Sequence, residues 1–179
     1  AVLIFQPGEE GFGGAKAMVD DGLFERFPVE SIYAMHNWPA LPAGSIGINP
    51  GAMMAGSDRI EIVVHGKGGH GAHPYLAVDP VLVAAHIITA TQSIVSRNVP
   101  PLHTGIISVG AFISGDAPNV IPGVAELRLT VRAFRPDVRD LLEKRITEIA
   151  TTQAAVYGAT AQVNYIRRYP VLNNDPAQT

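Results

Sequence analysis

"VAELRLTVRAF", residues 124–134, alternates apolar and polar side chains in period two, the pattern of a strand with one buried and one wet face. Leu127, Leu129 and Val131 fall on one side; Glu126, Arg128, Thr130 and Arg132 fall on the other. Its neighbours in both directions decide the fold. Upstream, "DRIEIVVHG" (58–66) and "GIISVGAFI" (105–113) read as further strands. Between them Asp79-Pro80 caps a helix from Val81 to about Val95, an acidic N-cap followed by a proline whose missing N–H is no loss at a helix start. Downstream, Pro136 opens a helix to about Tyr157, with Val138, Leu141, Leu142, Arg145, Ile149, Gln153 and Val156 near one mostly apolar stripe. "ATAQVNYIRR" (159–168) closes as a strand.

The order is βαββαβ, which predicts a split-βαβ, ferredoxin-like sandwich of four antiparallel strands with two helices on one face. Before Pro50 the grammar differs. Ala1–Phe5 reads as a strand buried on both faces, Gly14–Asp21 as a short helix stopped by Gly22, and Ser31–Met35 ("SIYAM") as the next strand, which is a βαβ unit of a parallel sheet. The right-handed crossover of such a unit puts both carboxyl strand ends on one edge, where these sheets bind ligands. The expected fold class is therefore α/β plus α+β: residues 1–54 as part of an α/β domain, 55–168 as the ferredoxin-like domain, and the polar, turn-rich 169–179 as a linker leading back. "AVLIF" begins with no initiator Met and no preceding turn, and the chain reads as a piece of a longer protein.

Composition narrows the function classes. With 179 residues, 47% of them hydrophobic, the chain can bury a sizeable core and reads as globular and soluble. A net charge of -3 without a basic run leaves no footprint for nucleic acid, and no apolar stretch is long enough to span a bilayer, so neither partner is expected. There are no cysteines, hence no disulfide framework and no thiolate metal site; a cytoplasmic location is the default expectation.

Chemistry concentrates in three places. Glu9 and Glu10, in "QPGEEGFGG" (6–14), and His36, in "MHNWP" (35–39), sit just past the expected strand ends. Two carboxylates and an imidazole at one edge can hold a metal and activate water, one acid as ligand and its neighbour as base; alternatively the acids simply favour the positive end of the following helix. "HGKGGHGAHP" (65–74) holds three histidines without an accompanying acid, and its Lys67 spacing does not match a phosphate-binding loop. One histidine there can donate to an oxyanion, or the loop is ordinary surface. Asn119, in "SGDAPNVIPG" (114–123), and Arg132 can together hold a carboxylate, or belong to a solvated sheet face.

Taken in order and spacing, "QPGEE", "GGAKAMVDDG", "MHNWP", "GKGGHGAHP", "DAPNVIP" and "VRAF" resemble the zinc-type amidohydrolases and metallopeptidases that include hippurate hydrolases, N-acyl amino acid amidohydrolases, aminoacylases and auxin-conjugate hydrolases. The resemblance covers nearly the whole chain. It implies a metal-dependent catalytic domain interrupted by a ferredoxin-like lid or dimerisation domain, a homodimer formed through that lid, and a small N-acyl amino acid as substrate. By motif it makes Glu9 the general base, Glu10 and His36 metal ligands, and His70 the residue that stabilises the oxyanion, in many members at the partner subunit's site. Asn119 and Arg132 would contact substrate. The expected cofactor is a pair of divalent ions, zinc, manganese, cobalt or nickel. The family's His-x-Cys/Asp-Gly-His-Asp segment and its late histidine are absent, so this chain holds fewer than the three protein ligands a zinc site needs and should catalyse little alone. A dipeptidase, a desuccinylase-like enzyme and a non-catalytic dimerisation module remain the alternatives.

Overall fold

The run at 124–134 forms β6 (Val124–Ala133), which buries Ala125, Leu127, Leu129, Val131 and Ala133 and leaves the residues between them at least partly wet. The computed structural model describes residues 1–179 and divides into two units, Ala1–Gly47 and Ile48–Thr179. In the second unit β6 lies in an antiparallel sheet of order β4-β6-β2-β7, with β2 at Gly56–His65, β4 at Gly105–Ile113 and β7 at Thr160–Tyr169. β2 is paired on both sides, from Gly56↔Ala133 to His65↔Val124 with β6, and from Ser57↔Tyr169 to His65↔Thr160 with β7.

Direct cross-strand partners share a face. Ile60, Ile62 and Val64 therefore join Leu127 and Leu129 beneath α3 (Pro80–Arg97) and α4 (Pro136–Val156), forming one core. Burying each such aliphatic side chain stabilises by about 1.5–3 kcal/mol. α3 starts where the sequence places it: Asp79 Oδ1 accepts from the Val81 N–H at 2.8 Å and Pro80 occupies the first turn. The βαββαβ order expected from the sequence is the order observed.

Three expectations are corrected. The buried stripe of α4 is Val138, Leu142, Ile146, Ala150 and Ala154, not the one running through Ile149 and Gln153 to Val156, which is 70% exposed. Small side chains at 150 and 154 allow close approach of the helix, and their weak hydrophobicity hides that face in the sequence. Next, Ala1–Phe5 and Ser31–Met35 form no strand, and Leu3 and Phe5 are 81% and 86% exposed. A parallel strand is stable when covered on both faces and flanked by neighbours, and Ala1–Gly47 contains only α1 (Gly14–Asp20) and α2 (Leu23–Arg26). Gly22 ends α1 as expected: at φ 83° it follows the Asp21 C-cap, its N–H donates to the Val19 carbonyl at 3.0 Å, and it serves at the same time as the N-cap of α2. Finally, the tail is more than a linker: β8 (Leu172–Asn174) pairs antiparallel with β1 (Gly51–Met54), so residues assigned to the first domain and to the linker make one ribbon in the second unit. No helix is long and apolar enough to cross a membrane.

The sheet and α4 meet at Asp58, which is 2% exposed. Its carboxylate accepts two hydrogen bonds from Arg139 of α4, one from the Tyr165 hydroxyl at 2.9 Å and one from the Arg168 N–H at 3.1 Å, both on β7. Burial pushes the carboxyl pKa up, but the donors from Arg139, Arg168 and Tyr165 outweigh it, and the net shift is downward. Burial and the adjacent carboxylate hold the Tyr165 phenol well above its usual range.

A depressed carboxylate pKa contributes stability that is present above the unfolded value and lost as pH falls through the folded one. Asp58→Asn should therefore destabilise the protein by roughly 3 kcal/mol near neutrality, since it leaves the Arg139 charge buried without its partner. In urea unfolding, the gap between wild type and variant should narrow as pH falls below about 4; a gap constant with pH would contradict the assignment.

Candidate functional site

In the first unit the apolar run ends at Pro7, and Gly8, at φ 59°, starts a turn closed by Phe12 N–H donating to the Gly8 carbonyl at 3.2 Å. Glu9 and Glu10 occupy that turn and are exposed. A Cβ at Gly14 would lie 1.6 Å from the Pro7 carbonyl oxygen, so the loop folds over the start of α1 only because residue 14 is glycine. No acid lies in the first turn of α1, which removes the helix dipole as the reason for these two. His36 is exposed, with Nδ1 at 2.7 Å from the Asn37 carbonyl and its ring at 5.8 Å from that of Trp38. A carbonyl can only accept, so Nδ1 carries the hydrogen and Nε2 keeps an open lone pair, the state in which histidines ligate metals.

Glu10 and His36 are the donor types a hard or borderline divalent ion takes. They do not by themselves complete a centre: no three His, Asp or Glu side chains gather anywhere in the chain to hold an ion.

In the second unit the glycine-rich loop is built by close backbone approach. A Cβ at Gly66 would stand 2.2 Å from the Val78 carbonyl oxygen, and one at Gly71 would stand 3.1 Å from that of Asn119. The glycines thus let Lys67 pair with Val78, through N–H···O bonds of 2.8 and 2.9 Å, and let β3 (Gly69–His70) pair with β5 (Val120–Ile121). His70 faces Val120 in that ladder, and Gly71 N–H donates to the Asn119 carbonyl at 2.8 Å. Two residues 49 positions apart in sequence, His70 and Asn119, are brought together at one exposed corner. The Ala72 N–H donates to His70 Nδ1 at 3.1 Å, which makes Nδ1 an acceptor and leaves the hydrogen on Nε2, pointing the opposite polarity from His36. His73 lies beside it, ring to ring at 5.5 Å.

Arg132 is not part of that corner. It pairs with Ser57 at one end of the sheet, whereas Val124, next to the Asn119 loop, pairs with His65 at the other. Eight residues of strand put roughly 26 Å between the two ends. Its neighbours on the open face are neutralised, Arg128 by Glu126 at 2.6 Å and Arg59 by Glu61 at 2.6 Å. Arg132 is half-buried and has no acidic partner; Nη1 donates to Thr130 Oγ1 at 2.5 Å and to the Val131 carbonyl at 3.0 Å, which leaves Nε and Nη2 as a free fork. Thr130 and Asp58 carry no motif of their own. The available signal was only that Thr130 stands two residues before Arg132 on the same strand face.

The whole chain, residues 1–179, matches the Peptidase family M20/M25/M40. It is 44% identical over 176 residues to hippurate hydrolase of Campylobacter jejuni, covering 98% of this chain and 46% of that protein. It is 40% identical to N-acetylcysteine deacetylase of Bacillus subtilis, covering 97% and 45%. Among solved structures it resembles a Bacillus subtilis dinuclear metal binding peptidase of the M20 family, with a TM-score of 0.74 and 34% identity over 96% of this chain and 42% of that one. The chain spans less than half the length of these relatives.

The two imidazole polarities predict a direct readout. In long-range ¹H–¹⁵N spectra of the metal-free protein at mildly alkaline pH, His36 should show the Nδ1–H tautomer and His70 the Nε2–H tautomer. Nδ1–H at His70 would contradict the geometry of its loop.

Proposed function

The chain belongs to the Peptidase family M20/M25/M40, a hydrolase family of amidohydrolases and deacetylases, and from that premise we propose that its full-length protein is a metal-dependent amidohydrolase cleaving N-acyl amino acids of the hippurate kind. The opposed polarity of His36 and His70 carries this reading: one imidazole offers a lone pair, the other a hydrogen. Amide hydrolysis by activated water requires both.

In this reading Glu9 takes a proton from the attacking water and delivers it to the leaving amine. His70 Nε2–H, beside Asn119, stabilises the oxyanion that forms on the former carbonyl oxygen. The free fork of Arg132 takes the substrate carboxylate in two parallel hydrogen bonds. Glu10 and His36 would contribute to a site for two divalent ions of the zinc, manganese, cobalt or nickel type, with the remaining ligands supplied by the rest of the full-length chain. When bound, such ions polarise the amide carbonyl and acidify water. The apolar segments at 1–5 and 31–35 suit a parallel sheet that the full-length protein completes.

The second unit then serves as a ferredoxin-like lid and dimerisation domain. An N-acyl amino acid spans on the order of 10 Å, far less than the separation of Arg132 from His70 and Asn119 along one sheet. A single substrate can meet all three only if two copies contribute, which supports a homodimer. The edge strand β4 favours the contact, because "GIISVGAFI" has no charged residue and exposes Ile106 and Ile113, whereas the opposite edge, β7, carries Arg167 and Arg168.

The test is hydrolysis of benzoylglycine by the full-length protein. Glu9→Gln should lower kcat by about 10²- to 10⁴-fold while elemental analysis finds the metal content unchanged. Intact turnover in that variant would remove Glu9 as the base, and faster cleavage of dipeptides or N-succinyl amino acids than of benzoylglycine would move the substrate assignment.

A further inference from the structure

We infer that Thr130 is the positioning residue that aims Arg132 at the substrate carboxylate, an inference that rests on the reading of Arg132 given above. A long arginine on an open sheet face has many rotamers, and one held for recognition needs a fixed acceptor behind it. Thr130 supplies one. Its hydroxyl has a single hydrogen, directed at the Asp58 backbone carbonyl across the strand pair at 3.4 Å, so its lone pairs remain for the Arg132 Nη1 hydrogen. The Val131 carbonyl takes the second Nη1 hydrogen. With both Nη1 hydrogens committed to the protein, the guanidinium plane is set and the Nε–Nη2 edge is left for a carboxylate in the fork geometry.

The support behind Thr130 is itself immobile. Asp58 is held from the helix side by Arg139 and from β7 by Tyr165 and the Arg168 N–H, so the residue whose backbone anchors Thr130 on the open face is tied by its side chain into the core on the other. The other open-face arginines lack such an arrangement; Arg59 and Arg128 lean on glutamates two residues away, which neutralise them. At Arg132 the equivalent place, two residues before it, is taken by a neutral hydroxyl that orients the charge and leaves it unspent.

The experiment measures kcat and KM of the full-length protein on benzoylglycine and on its carboxamide. The variants are Thr130→Val, Thr130→Ser, Arg132→Ala and the double variant Thr130→Val/Arg132→Ala. Losing a hydrogen bond to a charged group should raise KM for benzoylglycine about tenfold in Thr130→Val, with a smaller change in kcat, and narrow the preference for the acid over the amide. Thr130→Ser should restore both. In the double variant Thr130→Val should add nothing to the effect of Arg132→Ala, whereas general damage to the sheet would add in full. If Arg132→Ala raises KM and Thr130→Val does not, or if the two effects add, the positioning role is wrong and the carboxylate reading stands. If Arg132→Ala itself leaves the acid-to-amide preference intact, the carboxylate reading falls, and the role of Thr130 with it.

Discussion

The second unit depends on one buried carboxylate. Asp58 stands at the root of β2, where the irregular pairing with β7 begins, and it is satisfied by donors from α4 and β7 at once. An unpaired charge there would cost several kcal/mol, so the helix layer and the edge strand are required to meet at this point. Gly56, two residues earlier, marks how tightly they meet: a Cβ there would stand 3.2 Å from the Tyr169 carbonyl. The side chain of Asp58 thus fixes the core, while its backbone carbonyl fixes Thr130 on the other face.

A rigid sheet also fixes what cannot be brought together. Because β6 runs unbroken from Val124 to Ala133, His70 and Asn119 belong to one end and Arg132 to the other, and no rotamer change closes that gap. The proposed chemistry resolves this by using two copies, each site taking Arg132 from one copy and His70 with Asn119 from the other. The sheet is then a spacer whose length sets which copy meets which part of the substrate.

Much of this was legible in the sequence because it is written locally. The alternation at 124–134, the Asp79-Pro80 cap and the Pro136 start each reflect one element's own physics, and βαββαβ followed from them. The buried face of α4 is hidden in the sequence because Ala150 and Ala154, both fully buried, have little hydrophobic signal. The two expected strands before Pro50 have the right apolar content, but a parallel strand's stability resides in its neighbours, which Ala1–Gly47 does not supply. Nothing in the sequence links "GKGGHGAHP" to "DAPNVIP". Their pairing through two-residue strands has no periodicity to detect, and only the short distances above Gly66 and Gly71 explain why the glycines are there. The polarity of each imidazole was equally hidden, since it depends on a backbone group one or two residues away.

Subunit mixing tests the composite site most directly. Full-length Arg132→Ala and His70→Ala proteins, each nearly inactive, would be unfolded together, refolded and assayed on benzoylglycine. In the two-copy arrangement a random mixture regains roughly a quarter of wild-type activity, because half the dimers are mixed and each mixed dimer holds one intact site. A mixture no more active than its components would contradict the account, since it would place Arg132 and His70 of the same copy at one substrate despite the length of the strand between them.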